Sequence, residues 1–212
     1  MESKPRWNRR KEARPAEIVG AALDVFAENG FAAARLDEVA RRAGLAKGTL
    51  YRYFDTKEDL FRAVVQQALG AHLQAIEQGA AAFRGSLAEV VPMLLLRVAS
   101  GLGDGRTPAI LRVVLTESRA FPDLARIWHD EVVARMLALL TGLIAEAQAR
   151  GEVRPGDPGL HAFSIVGPLI VGVLFREVFG REGPHAPDLG ALVAQHAETV
   201  LHGLLVGPGT TT

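Results

Sequence analysis

The stretch GLAKGTLYRYFDTKEDLF, at residues 44–61, concentrates side chains that suit a phosphate partner. Cationic groups alternate there with hydroxyl groups, which donate hydrogen bonds to phosphate oxygens. A helix over residues 46–54 would turn Leu50 and Phe54 inward and leave the polar side chains outside. Its first turn would also offer free backbone N–H groups to an anion. We therefore expect contacts with nucleic acid from Lys47, Gly48, Thr49, Tyr51, Arg52, Tyr53 and Lys57.

Two features of the amino end have plainer alternatives. Tyr51 and Tyr53 could be ordinary aromatic residues at the edge of a core. A basic arm at residues 1–14 either reaches into a minor groove or is a flexible, unstructured segment. The cations of this arm are Lys4, Arg6, Arg9, Arg10, Lys11 and Arg14.

The charge distribution favours a nucleic-acid partner at the amino end. The whole chain is neutral, with 24 Lys+Arg and 24 Asp+Glu. Residues 1–57 contain 12 Lys+Arg against 8 Asp+Glu, whereas the remainder contains 12 against 16. A cationic end on an otherwise acidic protein is typical of proteins that bind nucleic acid.

Other chemistries find few candidate residues. The chain has no cysteine, which excludes disulfides, thiolate metal sites and thiol nucleophiles. Four of the six histidines lack HExxH-like spacing, and we interpret them as packed or interface side chains: His129, His161, His196 and His202. No acid–base pair or glycine-rich phosphate loop stands out. We therefore expect no metal, no cofactor and no enzymatic activity.

No membrane segment is expected either. The amino end lacks the apolar stretch of a secretory signal. The longest apolar run, residues 162–175, is interrupted by Gly167 and Pro168. It is also shorter than the roughly 20 residues that span a bilayer. We expect a cytoplasmic protein.

The apolar pattern is helical throughout and predicts an all-α fold of about nine helices. Thr56–Asp59 and Ser86–Glu89 resemble capping boxes, and Gly30 and Gly151 are placed to end helices. The predicted helices cover approximately residues 15–29, 37–43, 46–54, 56–76, 86–100, 107–119, 122–150, 158–179 and 187–205.

The second and third predicted helices, joined at Gly44, have the dimensions of a helix-turn-helix. The segments EIVGAALDVFAENGF and LDEVARRAGLAKGTLYRYFDTKEDLF resemble the TetR/AcrR family of transcriptional regulators. The pattern A-G-x-x-K-G-T-L-Y-x-Y-F-x-x-K-E-x-L is complete. The resemblance covers about residues 15–65, and the remainder is similar in architecture only.

The resemblance implies a homodimeric repressor that binds double-stranded operator DNA and is released by a small-molecule effector. It implies a DNA-binding domain at residues 15–60 and an effector-binding and dimerisation domain at residues 61–207, followed by a tail at residues 208–212. Arg52 falls at the family's variable reading position. An alternative is a structural or partner-recruiting DNA-binding protein on the same scaffold, without an effector.

The last two helices are the expected dimer contact, through Leu160, Phe163, Ile170, Leu174, Leu189, Leu192, Val193, His196, Val200 and Leu204. Prolines at positions 92 and 168 are expected to kink helices and leave a cavity. An apolar or aromatic effector is expected to contact Met93, Arg97, Phe121, Trp128, His129, Met136, Phe163 and Phe175.

The chain departs from the family at two helix caps. Ala46 stands where a capping hydroxyl is usual, and the preceding helix has no hydroxyl residue near Arg35. Loss of a cap costs on the order of 1 kcal/mol, which leaves the predicted fold intact.

Overall fold

The computed structural model describes residues 6–103 and 106–206, with the side chains of residues 15–102 and 107–206. These ranges form helices and connecting turns, with a single isolated β-bridge between Val153 and Leu205. The helices are α1 (Arg6–Ala33), α2 (Leu36–Arg42), α3 (Lys47–Leu50), α4 (Lys57–Ala82), α5 (Leu87–Gly103), α6 (Arg106–Glu117), α7 (Pro122–Trp128), α8 (Ala134–Ala149), α9 (Pro158–Phe179) and α10 (Leu189–Leu204). A π-helical turn, His129–Val133, joins α7 to α8 without a break. With that run counted as one helix, and with α1 kinked at Gly30, the described ranges contain nine helices, so the predicted all-α fold is confirmed.

The predicted capping box at Thr56 is complete, and the one at Ser86 is present in one of its two bonds. The Thr56 N–H donates to the Asp59 carboxylate at 3.1 Å, and the Asp59 N–H donates to the Thr56 hydroxyl at 3.0 Å. The Ser86 N–H donates to the Glu89 carboxylate at 2.9 Å. These bonds satisfy groups at the helix start that have no partner within the helix.

Several helix bounds differ from the prediction. Helix α1 begins at Arg6 rather than Pro15, so much of the expected flexible arm is helical, while residues 1–5, including Lys4, lie outside the described part. Helix α5 extends to Gly103 and α6 begins at Arg106, which shortens the expected loop over residues 101–108. Helix α3 ends at Leu50 and gives way to tighter turns. There the backbone N–H of Arg52 donates to the Thr49 carbonyl at 3.2 Å, and the backbone N–H of Tyr53 donates to the Leu50 carbonyl at 2.9 Å.

By packing, the chain divides into two units. The first unit comprises the residues up to Ala71 together with Ala109–Glu131, and the second comprises His72–Pro108 and the residues from Val132 onward. The sequence placed one boundary after residue 60, which separates domains by expected function. The chain instead passes from one packed unit to the other three times, and α4 and α6 each have residues in both units.

An aromatic cluster forms the core of the first unit. Phe31 is fully buried and lies with its ring centroid 5.6 Å from Phe26, 5.7 Å from Phe61 and 5.1 Å from Phe121. Phe121 comes from the separate stretch Ala109–Glu131, so this core unites two distant parts of the sequence.

In the second unit α10 packs against α5 and α9, and α9 also packs against α8. Asp157 and Asp188 cap α9 and α10 by accepting backbone N–H groups, at 2.7 Å from both Gly159 and Ala191. Helix α9 continues through Gly167 and Pro168, as predicted for a helix over residues 158–179. By length and composition alone, the stretches Pro122–Ala149 and Pro158–Phe179 are sufficient to cross a membrane. An apolar helix covered by other protein meets the same criterion.

Candidate DNA-binding site

Helices α2 and α3 are joined by a tight turn at Gly44, whose φ is 67°. This left-handed conformation favours glycine. The Leu45 N–H donates to the Ala40 carbonyl at 2.8 Å and closes the end of α2. Val39 and Leu50 are both fully buried, which fixes the inner side of each helix. The predicted helix-turn-helix is therefore present.

Six of the seven predicted contacts lie on residues 47–53, which we call the recognition segment. Burial of Leu50 turns the other side chains of this segment away from the core. Four residues of the segment are exposed, namely Lys47, Gly48, Tyr51 and Arg52. Thr49 and Tyr53 are half-buried. The segment thus presents cationic and hydroxyl groups on the protein surface, as a phosphate backbone requires.

Lys47 forms an exposed ion pair in this structure. Its Nζ lies 2.8 Å from an Asp37 carboxylate oxygen. The hydrogen bond with Asp37 raises the pKa of Lys47, so the ammonium keeps its charge. An exposed pair of this kind contributes little to stability, so exchanging Asp37 for a phosphate costs little.

The two cations of α2, Arg41 and Arg42, are neutralised by carboxylates. Arg42 donates to Glu28 at 2.6 Å and to Glu38 at 2.8 Å, and Arg41 donates to Glu38 at 2.6 Å. Hydrogen bonds from Arg41 and then Arg42 lower the pKa of Glu38. This network attaches α2 to α1 and leaves the recognition segment as the more cationic part of the helix-turn-helix.

Neither α2 nor α3 has a side-chain cap. Their N-cap residues, Arg35 and Ala46, have extended backbone, and neither side chain accepts a hydrogen bond from its helix. The two departures expected from the sequence are therefore confirmed.

Lys57, the seventh predicted contact, is half-buried and directed into the protein. Its Nζ donates to the carbonyls of Phe31, Ala32 and Ala34 at 2.5, 3.2 and 3.1 Å. The ammonium also lies 4.5 Å from the centre of the Phe31 ring. Burial lowers the pKa of Lys57, while the carboxylates of Glu58 and Glu117 act in the opposite direction. The ammonium is therefore not directed outward as the sequence analysis expected, and a DNA contact from Lys57 stays a prediction.

Two residues of α6 that contact this region were not predicted from the sequence. The Glu117 carboxylate accepts the N–H groups of Phe31 and Ala32 at 2.8 and 2.6 Å. Arg112 donates to the Ala27 carbonyl at 2.8 Å. Both contacts span more than eighty positions of sequence, so no local pattern could have revealed them.

The predicted effector contacts fall in both units. Phe121, Trp128 and His129 belong to the first unit, where Phe121 packs on Phe31. The other five belong to the second unit, where Met93, Met136 and Phe175 are half-buried and Arg97 and Phe163 are exposed.

A cavity of about 590 Å³ lies in the second unit, between the α4–α5 connection and the end of α8. Its lining is mixed: apolar side chains such as Phe83, Leu87 and Leu143 stand beside two arginines and two glutamates, Arg84, Arg150, Glu146 and Glu152. None of the eight predicted effector contacts is among its lining residues. The sequence therefore did not locate this cavity.

The predicted dimer contacts divide into exposed and buried residues. On α9, Leu160 and Phe163 are 67% and 58% exposed. Leu189, Val193 and Leu204 are instead buried within the second unit, because α10 turns this side toward α5 and α9. These three are corrections to the predicted interface. The remaining predicted residues are Ile170, which is exposed, and Leu174, Leu192, His196 and Val200, which are half-buried.

Helix α9 also exposes apolar residues that the prediction did not include. Val171, Val178 and Phe179 are 65%, 72% and 62% exposed. An exposed apolar surface of this kind on one helix is typical of a protein–protein contact.

Comparison with known proteins agrees with the helix-turn-helix. Residues 18–64 match the family of bacterial regulatory proteins, tetR family, and residues 82–194 match the tetracyclin repressor-like C-terminal domain. The second match alone covers more than half of the chain. This chain belongs to the TetR family.

The relatives of this TetR-family protein are bacterial regulators. The fatty acid metabolism regulator protein of Bacillus subtilis is 28% identical over 69% of this chain and 75% of its own length. The HTH-type transcriptional regulator RutR of Escherichia coli K12 is 30% identical over 74% and 73%. A TetR-family regulator from Mesorhizobium loti has a crystal structure that superimposes with a TM-score of 0.76 at 25% identity, over 96% of this chain and 100% of that one.

The TetR-family protein is thus a DNA-binding transcriptional regulator, with an N-terminal helix-turn-helix and a C-terminal helical domain. The comparisons support this function and not the alternative of a structural or partner-recruiting protein.

Proposed function

We propose that this TetR-family protein is a homodimeric repressor that binds its operator through the recognition segment. The observation that carries the proposal is the outward display of Lys47, Tyr51 and Arg52 around the buried anchor Leu50. In a major groove, Arg52 would read base edges, while Lys47 and Tyr51 would contact phosphates. We infer that it acts in the cytoplasm without catalytic activity.

The salt dependence of operator binding tests these roles. The DNA upstream of its own coding region is the first probe, and fluorescence anisotropy gives the affinity. Lys47→Ala should weaken binding and reduce the slope of log K against log salt by about 0.9 for each phosphate that the variant no longer neutralises. Arg52→Ala should weaken binding to the operator more than binding to random DNA. An unchanged slope for Lys47→Ala, together with unchanged preference for Arg52→Ala, would exclude the recognition segment as the contact surface.

Dimerisation follows from the size of one reading helix. Two helix-turn-helix units related by a dyad read half-sites roughly 34 Å apart, which one copy cannot do. The exposed residues Leu160, Phe163 and Val171 of α9 offer the surface for a second copy. Burial against that copy also accounts for the apolar length of α9 without a membrane.

We propose that the effector is small and apolar or aromatic and enters the second unit among α5, α8 and α9. These helices pack on one another and carry the half-buried residues Met93, Met136 and Phe175. Methionine side chains adapt to irregular apolar ligands. The relative named as a fatty acid metabolism regulator makes long-chain fatty acids the first compounds to try.

Thermal-shift screening, followed by operator binding, tests the effector proposal. A long-chain fatty acid or planar aromatic compound should raise the melting temperature of the wild-type protein and weaken its operator binding. Met136→Trp should reduce this response without changing DNA affinity in the absence of ligand. Leu96→Ala, at an exposed position of α5, is the control and should respond as wild type.

A further inference from the structure

A sharp bend interrupts α1 at Gly30, whose φ is 74° and ψ is −180°. Ordinary L-residues rarely adopt this conformation. The bend presents the next two backbone N–H groups to the Glu117 carboxylate, which accepts both. A Cβ atom at position 30 would collide with the same carboxylate. The backbone therefore favours glycine here, and any added side chain would also have to displace the Glu117 carboxylate.

Lys57 holds the same segment through its carbonyl groups. An ammonium group has three N–H donors, and Lys57 has three carbonyl acceptors, on Phe31, Ala32 and Ala34. Each donor thus has a protein acceptor within hydrogen-bond distance. Glu117 binds the N–H groups and Lys57 binds the carbonyls of residues 30–34, which we call the connecting segment.

The connecting segment leads directly into the helix-turn-helix. Only Arg35 separates it from α2, which begins at Leu36 and leads to α3. Phe31, at its centre, is fully buried in the aromatic cluster. A change in the direction of the connecting segment would therefore be passed to α2 and to the recognition segment.

Helix α6 supports the connecting segment at two points. Arg112 holds the Ala27 carbonyl before the bend, and Glu117 holds the N–H groups after it. Helix α6 also begins in the second unit and ends in the first. It is therefore a continuous element between the unit proposed to bind an effector and the connecting segment.

We propose that Glu117 and Lys57 are positioning residues for operator binding, which clamp the connecting segment at its N–H groups and at its carbonyls respectively and set the direction of the helix-turn-helix. In this role the Lys57 ammonium makes no phosphate contact. The proposal rests on operator binding by the recognition segment, and it adds two residues that act without touching DNA.

The test compares Glu117→Gln with Glu17→Gln, which makes the same chemical change at an exposed position of α1. Hydrogen bonds to a charged group are among the stronger ones, so we expect Glu117→Gln to weaken operator binding about tenfold. The slope of log K against log salt should stay at the wild-type value, because the variant neutralises the same phosphates as the wild type. Glu17→Gln should change the affinity less than twofold.

Amide hydrogen exchange gives a readout that does not depend on DNA. In Glu117→Gln the amides of Phe31 and Ala32 should exchange about tenfold faster or more, while amides of α9 keep their wild-type rates. Glu117→Asp, which retains the charge with a shorter reach, should give intermediate values of exchange and affinity. It also keeps the test decisive if Glu117→Gln fails to fold.

Lys57→Met separates the clamp from a phosphate contact. The proposal expects weaker operator binding with an unchanged salt slope, whereas a phosphate contact would reduce the slope by about 0.9 per site. A reduced slope would overturn the role given to Lys57. Wild-type affinity in Glu117→Gln, with or without faster amide exchange, would overturn the role given to Glu117.

The proposed function fails in a different way from this inference. If Lys47→Ala and Arg52→Ala bind the operator as the wild type does, the recognition segment is not the contact and the clamp has nothing to position. If those variants bind poorly and Glu117→Gln binds normally, only the clamp is excluded.

Discussion

At the scale of single residues, the backbone bend at Gly30 determines which groups the Lys57 ammonium contacts. The sequence indicated that Gly30 ends a helix, and its positive φ confirms this. The same sequence placed Lys57 on a DNA surface, because its position in the motif is local information. The carbonyls that Lys57 contacts lie about 25 positions earlier, and a local pattern does not contain them.

We expect Gly30→Ala to destabilise the protein by more than about 1 kcal/mol, because the new Cβ is strained by the backbone and meets Glu117. Urea unfolding measures the change. In a Glu117→Ala background the penalty should be smaller, since the collision is gone and only the backbone strain remains. Equal penalties in both backgrounds would contradict the contact.

At the scale of elements, local rules predicted helix starts better than helix ends. The capping boxes at Thr56 and Ser86 involve groups three residues apart, so the sequence contains both partners. The start of α1 at Arg6 and the π-helical turn at residues 129–133 depend on packing and were not predicted. The absent cap at Ala46 was predicted because it needs only the residue type.

The missing cap of α3 can be restored. Ala46 already has the extended backbone of an N-cap residue, with φ −70° and ψ 144°. We expect Ala46→Ser to stabilise the protein by about 0.5–1 kcal/mol, because the hydroxyl can accept a free N–H of α3. Chemical denaturation measures this gain. Ala46→Val, which cannot accept that bond, is the control and should show no gain.

The ion pair between α4 and α8 predicts a pH dependence. Arg135 donates to the Glu77 carboxylate at 2.7 and 2.8 Å, and this hydrogen bonding lowers the pKa of Glu77. A carboxylate whose pKa is lowered by folding stabilises the protein above its unfolded-state pKa, about 4.3, and loses that contribution as the pH falls through its folded-state pKa.

We therefore expect Glu77→Gln to cost at most about 1 kcal/mol at pH 7, because the pair is partly exposed. The difference from the wild type should shrink as the pH falls below about 4.3 and should disappear below the lowered folded-state pKa of Glu77, where the carboxyl is uncharged. Urea unfolding of both proteins across this range measures it. A difference that is constant with pH would show that the charge of Glu77 has no part in the pair.

At the scale of the whole molecule, the sequence predicted the fold class and the family from one motif and a helical period. It did not predict which side of each late helix faces the core. Leu189, Val193 and Leu204 are of residue types that also occur in subunit interfaces, but they are buried within their own chain. Hydrophobic residue type alone does not distinguish a subunit core from a subunit interface.

We expect Phe163→Asp to abolish the proposed dimer, because a charge at the centre of an apolar contact is not solvated. Analytical ultracentrifugation should show a monomer that keeps its helical circular dichroism, and operator binding should fall by at least about a hundredfold because one copy cannot engage both half-sites. Leu96→Asp, an equally drastic change at an exposed position of α5, should remain dimeric. A dimeric Phe163→Asp would place the interface elsewhere.

The two-part composition of the first unit bears on how such regulators can be recombined. The stretch Ala109–Glu131 supplies Phe121 to the aromatic core of the first unit and Glu117 to the bend at Gly30. A chimaera with a single junction after Ala71 would therefore join the helix-turn-helix of one regulator to residues 109–131 of another. A transplant that changes operator preference should therefore carry residues 109–131 as well. Exchange of the recognition segment alone leaves the core of the first unit unchanged and needs fewer substitutions.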